Sequence, residues 1–329
     1  MSEVSIIVHP DFDQIWPFTA DHLHELLLEK YTNVEFIRLP RDSQLLLSEA
    51  FPQPGQIIRL VSLGVPVTEQ CLDLFTSLQE AFIGIGRYAE KPIPSLTDAL
   101  AGRGVHVIAF SSVGYWGQSV AEFALGLTIA ALRRIPQTHR EMMTSHDTWQ
   151  YPQEQFGDNP SFANGTIEGK KVRIVGAGNI ASRYAKFVHM LGADVAVWDP
   201  YAGDPAFHLA GSRREWHLDR LLRDADIFLP MVPLTPHTVG LIKKEHIQAL
   251  PNGCLVVMVT RAEICDMAEL RGRVLADELS LAADVFDKEP LPLNDALLGR
   301  HNVVHTPHNA GRTKEANLQW AEMLASQFR

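Results

Sequence analysis

The sequence predicts an α/β fold with two doubly wound, parallel-sheet domains, on three observations. Short apolar runs recur along the 329 residues with helical patterns between them. One run, residues 172–175, enters the turn Gly176-Ala-Gly178-Asn-Ile-Ala181 and passes straight into a helical pattern. A further strand then ends at Asp199, about 20 residues on, which is the spacing of a Rossmann dinucleotide turn. The turn lies near mid-chain, so enough sequence precedes it for a complete α/β domain.

Taken in order, residues 5–8, 34–39, 57–61, 81–85 and 105–110 read as buried parallel strands, with helical patterns at 21–30 and 68–78. This first domain has no glycine fingerprint. A helix over 119–134 follows, apolar nearly all round, as expected of a helix buried between domains or subunits. Residues 146–165, rich in Pro, Asn, Asp and Gln, read as a long loop. Beyond the fingerprint, strands are expected at 227–229, 254–259, 280–285 and 303–305, and a last helix at 313–328. These patterns predict a first domain over 1–110, completed by 306–329, with a nucleotide domain over 111–305 inserted into it. The chemistry is expected in the cleft between them.

Composition narrows the function classes. A net charge of −10 with no basic cluster argues against nucleic-acid binding. No apolar stretch reaches the ~20 residues of a bilayer span, and no signal-peptide pattern opens the chain. Cys71, Cys254 and Cys265 have neither metal nor disulfide spacing, so the expectation is no metal and a reducing, cytoplasmic compartment.

Within the fingerprint, Gly176 permits the tight turn and Gly178 the close approach of a pyrophosphate. The amides of Asn179 and Ile180 open a helix N-terminus, which favours an anion. Three later segments stand out. Arg261 follows a buried strand, on the side of a parallel sheet where ligands sit. Asp284 ends another buried strand, where an unpaired carboxylate is costly and a nicotinamide carboxamide could satisfy it. His308 follows a strand and Pro307 and precedes a small-residue turn with Gly311; His301 and His305 read as structural.

Together these segments resemble the D-isomer-specific 2-hydroxyacid dehydrogenase family, over most of the chain and most densely from residue 119 to 313. Val120-Ala-Glu122, Gly169-Lys-Lys-Val172 and Pro233-Leu-Thr-Pro-His-Thr238 match as well. The resemblance implies a flavodoxin-like substrate domain, a Rossmann domain for NAD, a homodimer built partly through the 119–134 helix, and a small D-2-hydroxy or 2-keto acid as substrate. Arg261, Glu289 and His308 match the catalytic trio. His308 would be the acid–base group, Glu289 would hold its tautomer and favour the imidazolium, and Arg261 would grip the substrate carboxylate. Asp199 would accept the adenosine ribose hydroxyls and favour NAD over NADP. Val232, Thr260 and Asp284 match further cofactor contacts, and Ile85-Gly86 a loop whose amides hold the substrate carboxylate.

The chain departs from the family pattern in four places. It reads Arg87-Tyr-Ala-Glu-Lys-Pro92 where Tyr-Asp-Asn-Ile-Asp is usual, Met258 and Ala262 where many members read Asn-x-x-Arg-Gly, and Met231 where His is common. Trp16, Phe18, Tyr88, Tyr115 and Trp116 are candidates both for a bulkier substrate pocket and for core. Two other functions share this fold: a formate-type dehydrogenase, which generally carries Gln where Glu289 stands, and an NAD(H)-sensing interaction protein.

Overall fold

The computed structural model describes residues 3–86, 94–108, 114–149 and 161–329. The chain divides into two compact units, Met1–Tyr115 with Arg312–Arg329, and Trp116–Gly311.

In the first unit the chain runs β1 (Val4–Val8), α1 (Pro10–Ile15), α2 (Thr19–Lys30), β2 (Val34–Arg38), β3 (Arg59–Gly64), α3 (Glu69–Leu72), β4 (Glu80–Ile85), α4 (Pro94–Gly102) and β5 (His106–Val107). The strands form one sheet in the order β2-β1-β3-β4-β5, each pair parallel, the flavodoxin-like order. β1 is wholly buried, as a central parallel strand must be. β2 is not: it forms the sheet edge and is only half-buried, which corrects the expectation of a fully buried run. The helix expected over 68–78 is a single turn, α3, capped by Thr68. After it the amides of Leu74 and Phe75 bond three residues back, to Cys71 and Leu72, so the chain turns instead of continuing as α-helix.

The second unit begins with α5 (Gly117–Leu132) and α6 (Ile135–Met142). It continues through β6 (Lys171–Val175), α7 (Asn179–Met190), β7 (Asp194–Trp198), α8 (Asp204–Leu209), β8 (Arg213–Arg214), α9 (Leu218–Leu222) and β9 (Ile227–Pro230). It ends with α10 (Lys244–Ala249), β10 (Leu255–Met258), α11 (Met267–Leu275), β11 (Ser280–Ala283) and β12 (Val303–His305). Its parallel sheet has the order β12-β11-β10-β9-β6-β7-β8, the Rossmann order with one strand added. The winding reverses between β6 and β9, so a crevice opens at the carboxyl end of β6, where Gly176 stands.

Side-chain alternation along β6 builds both cores of this unit. Val172 and Ile174 pack on one face with Tyr184 of α7 and Ala121 and Ala124 of α5. Val175 faces the other way, with Leu222, Phe228 and Leu270. Arg173 is 1% exposed yet charged, and is tied to Asp194 at 2.9 Å and Asp224 at 2.8 Å. The last helix, α12 (Lys314–Gln327), belongs to the first unit, where Thr19 and the amide of Phe18 donate to Asn317 Oδ1.

The aromatic candidates separate by burial. Trp16 and Tyr115 are core, packed edge-on and stacked against Trp320. Phe18 is 45% exposed, Trp116 packs partly into the core of the second unit, and Tyr88 lies outside the described residues, as does the Arg87–Pro92 departure. Met231, Met258 and Ala262, the other departures, are buried packing residues.

Candidate active site

β6 ends at Val175, and Gly176 follows with φ +103°, a backbone open to glycine. A Cβ there would stand 2.7 Å from the Met231 carbonyl oxygen and 2.9 Å from Val232 Cγ1. Val232 therefore packs against the turn itself. Gly178 is the N-cap of the twelve-residue α7, and a Cβ on it would meet nothing within 4 Å. One glycine is thus required by the fold, while the other keeps a space open in front of the first turn of α7, at Asn179 and Ile180. The side chain of Asn179 turns back toward α5, 2.2 Å from where a Cβ on Gly117 would be. Asp199 accepts from the Ala177 amide at 2.8 Å on Oδ2, and from Tyr201 and Ala202 at 2.8 and 3.0 Å on Oδ1. A lone pair of Oδ2 remains for a sugar hydroxyl. An open turn, a helix N-terminus and an anchored acid together fit a dinucleotide.

Thr260 and Arg261 follow β10. Thr260 Oγ1 donates to the Pro230 carbonyl at 3.0 Å, and Arg261 Nη1 donates to the Thr260 carbonyl at 2.7 Å. Glu289 is fixed at both oxygens: Oε1 accepts from the Phe286 amide at 2.9 Å, and Oε2 meets His308 Nδ1 at 2.7 Å. Burial pushes the Glu289 carboxyl up. The bond from His308, the Phe286 amide, and the charges of His308 and Arg261 outweigh it and hold the group below the usual range. Arg261, Glu289 and His308 therefore share one electrostatic environment on the second unit, although they come from three separate loops. Ile85 and Gly86 belong to the first unit, where Gly86 has φ +71° at the carboxyl end of β4 and no atom near its Cβ direction.

Asp284 is fully buried, but its carboxylate is not left waiting for a carboxamide. Oδ1 accepts from Thr306 Oγ1 at 2.6 Å and the Asn309 amide at 3.0 Å, and Oδ2 from the Ala310 amide at 2.9 Å. Sequence reasoning missed Thr306 and the two amides. The signal was present: a buried carboxylate needs donors, and the next strand is followed by a threonine and a turn. His301 pairs with Asp277 at 2.9 Å, and His305 is exposed. A cavity of about 340 Å³ lies among Arg173, Ala196, Arg213 and Arg220 and contains none of the expected site residues. Among the described residues no group of three His, Cys, Asp or Glu side chains could hold a metal, and no helix is long and apolar enough to cross a membrane.

Residues 125–310 match the NAD binding domain of the D-isomer specific 2-hydroxyacid dehydrogenase family. The chain belongs to that family. It is 32% identical to the D-3-phosphoglycerate dehydrogenase of Archaeoglobus fulgidus over 208 residues, 63% of this chain and 37% of that one. It is 31% identical to the glyoxylate reductase of Thermofilum pendens over 225 residues, 68% and 64% of the two chains. The chain thus spans under two thirds of the length of the curated relatives it matches. Among solved structures, D-mandelate dehydrogenase of Rhodotorula graminis superposes with a TM-score of 0.78 at 20% identity, covering 99% of this chain and 93% of that one. At that identity the likeness concerns the fold. Membership of the 2-hydroxyacid dehydrogenase family, with its NAD-binding domain matched from α5 to the His308 loop, assigns NAD as the cofactor.

Proposed function

We propose that this chain is an NAD-dependent oxidoreductase that moves a hydride between nicotinamide and a D-2-hydroxy acid or its 2-keto acid. The observation that carries the reading is the His308–Glu289 contact of 2.7 Å, on the NAD-binding unit and within electrostatic reach of Arg261. When bound, NADH supplies the hydride. His308 donates the proton to the carbonyl oxygen in reduction and takes it back in oxidation. Glu289, kept ionised by His308, the Phe286 amide and Arg261, fixes the proton of the ring on Nδ1 in the neutral form and directs Nε2 to the substrate. Arg261 engages the substrate carboxylate with its planar fork and polarises the reacting carbonyl. Ile85 and Gly86, on the first unit, enter the reading as substrate contacts on the family resemblance alone. Gly176, Gly178, Asn179 and Ile180 cradle the pyrophosphate, with Val232, Thr260 and Asp284 lining the nicotinamide end. Asp199 takes the adenosine ribose and repels a 2′-phosphate, so NAD is preferred to NADP.

Two coarser features accompany the reading. Phe123 and Leu125 on α5 are only partly buried and Ile129 is exposed, in keeping with a homodimer formed through that helix. Cys71, Cys254 and Cys265 are free and buried, in keeping with a reducing, cytoplasmic compartment.

The test is NADH oxidation followed by absorbance with glyoxylate, hydroxypyruvate, pyruvate, phenylpyruvate and branched keto acids, on the wild type and His308→Gln. Turnover with at least one acid is expected, abolished in the variant while NADH still binds. NADH binding with no turnover on any acid would favour an NAD(H)-sensing protein instead.

A further inference from the structure

His308 has φ +52°, a left-handed conformation that a residue bearing a Cβ holds when its surroundings impose it. Upstream of the ring, Thr306 donates its hydroxyl to Asp284 Oδ1 at 2.6 Å and its amide to the Ala283 carbonyl at 3.0 Å. Downstream, the amides of Asn309 and Ala310 donate to the two oxygens of the same carboxylate, at 3.0 and 2.9 Å. The Ala310 carbonyl then accepts from Ser119 Oγ, on the first turn of α5, at 2.5 Å. All three side-chain bonds of Asp284 go to residues 306–310 and flank His308 on both sides.

A carboxylate removed from water is costly, and these bonds repay that cost within one short loop. Asp284 follows β11, an interior strand of the sheet, and Ser119 sits on a sixteen-residue helix, so both anchors are rigid. Glu289 adds a third attachment, at the ring itself. Three attachments to three different elements define the position of the imidazole beyond what folding of the loop requires.

We infer that Ser119 and Asp284 are positioning residues for His308, acting through Ala310 and Thr306 to hold its imidazole in the reactive orientation. This rests on the proposed acid–base role of His308. Asp284, expected from sequence as a cofactor contact, gains a second task, and Ser119 acts from α5, 191 residues away in the chain from Ala310.

The experiment compares Ser119→Ala, Ser119→Thr, Thr306→Val and Asp284→Asn with the wild type and His308→Gln, all in the full chain. Four readouts are taken: kcat and KM with the best keto acid of the panel, NADH affinity by fluorescence, Tm, and the ring ¹⁵N signals of His308, assigned by their absence in His308→Gln. Ser119→Ala and Thr306→Val are expected to lower kcat about 10- to 100-fold while NADH affinity stays within about twofold. They should also shift the His308 ring signals, and Ser119→Thr should restore both. Wild-type kcat with unmoved ring signals in Ser119→Ala and Thr306→Val would overturn the inference, even if Asp284→Asn fails to fold. A fall in kcat that only tracks the lost folded fraction would overturn it too. If His308→Gln keeps full turnover, the acid–base reading fails, and the ring signals alone then decide whether Ser119 and Asp284 position the imidazole.

Discussion

Replacing Gly176 and Gly178 in turn by alanine separates the two tasks of the turn. At Gly176 the φ of +103° costs an alanine about 1–3 kcal/mol. Its Cβ would also stand 2.7 Å from the Met231 carbonyl, whose residue is buried and whose amide is bonded to Val175 at 2.8 Å. Relieving that overlap means shifting the backbone, at a further cost of about 1–3 kcal/mol. Together the effects reach a few kcal/mol, so Tm of the second unit should fall on the order of 10 °C. Gly178 is different. Its backbone is ordinary and the new Cβ meets no protein atom within 4 Å, so Tm should hold. The methyl instead occupies the space through which a pyrophosphate approaches α7, and NADH affinity should weaken about 10- to 100-fold, or about 1.4–2.7 kcal/mol. Calorimetry and NADH fluorescence titration on both variants provide the assay. If Gly178→Ala melts as early as Gly176→Ala, or binds NADH like the wild type, the division of labour is wrong.

Three further outcomes are expected. Asp199→Ala should erase most of the preference for NADH over NADPH in kcat/KM and cost about 1–2 kcal/mol in stability, since three amides lose their acceptor; an unchanged preference would remove Asp199 from cofactor selection. The bond from Arg173 holds the Asp224 carboxyl down to about 2, so its contribution is complete above the ordinary carboxylate range near pH 4 and is lost as pH falls toward 2. Asp224→Asn should therefore be less stable at neutral pH and lose less between pH 4 and 2 than the wild type, and parallel acid-unfolding curves would contradict this. Thr128 donates to the Ala124 carbonyl at 2.7 Å and accepts from the buried Tyr184 hydroxyl at 2.9 Å. Thr128→Val should cost about 1–3 kcal/mol in urea unfolding, part of it recovered by adding Tyr184→Phe; a double variant no more stable than the single would show that the hydroxyl found another partner.

What the sequence made legible was whatever leaves a periodic or covalent trace. The alternation of apolar runs and helices announced two parallel sheets, and the glycine turn marked where the second one reverses. β8 escaped because two arginines at a sheet edge carry no apolar signal. The helix over 68–78 was overcalled because periodicity does not register a chain that changes to three-residue bonds after Leu72. Arg261, Glu289 and His308 were singled out as candidates by their residue types and by resemblance. The donors on Asp284 and the hydroxyl of Ser119 were not, because Ser119 and Ala310 are 191 residues apart and only folding brings them together. Trp16 and Tyr115 remained ambiguous for the same reason, since pocket and core call for the same aromatic residues.

Because α12 is the last element, the two units reach completion in reverse of their order in the chain. Residues 116–311 are contiguous, so the whole of the second unit is synthesised before 312–329. The first unit begins earlier but must wait. Until α12 arrives, Trp16 and Tyr115 lack Trp320, and Thr19 lacks Asn317. During translation the incomplete partner is therefore the one made first, with an apolar surface exposed for as long as the inserted unit takes to be synthesised.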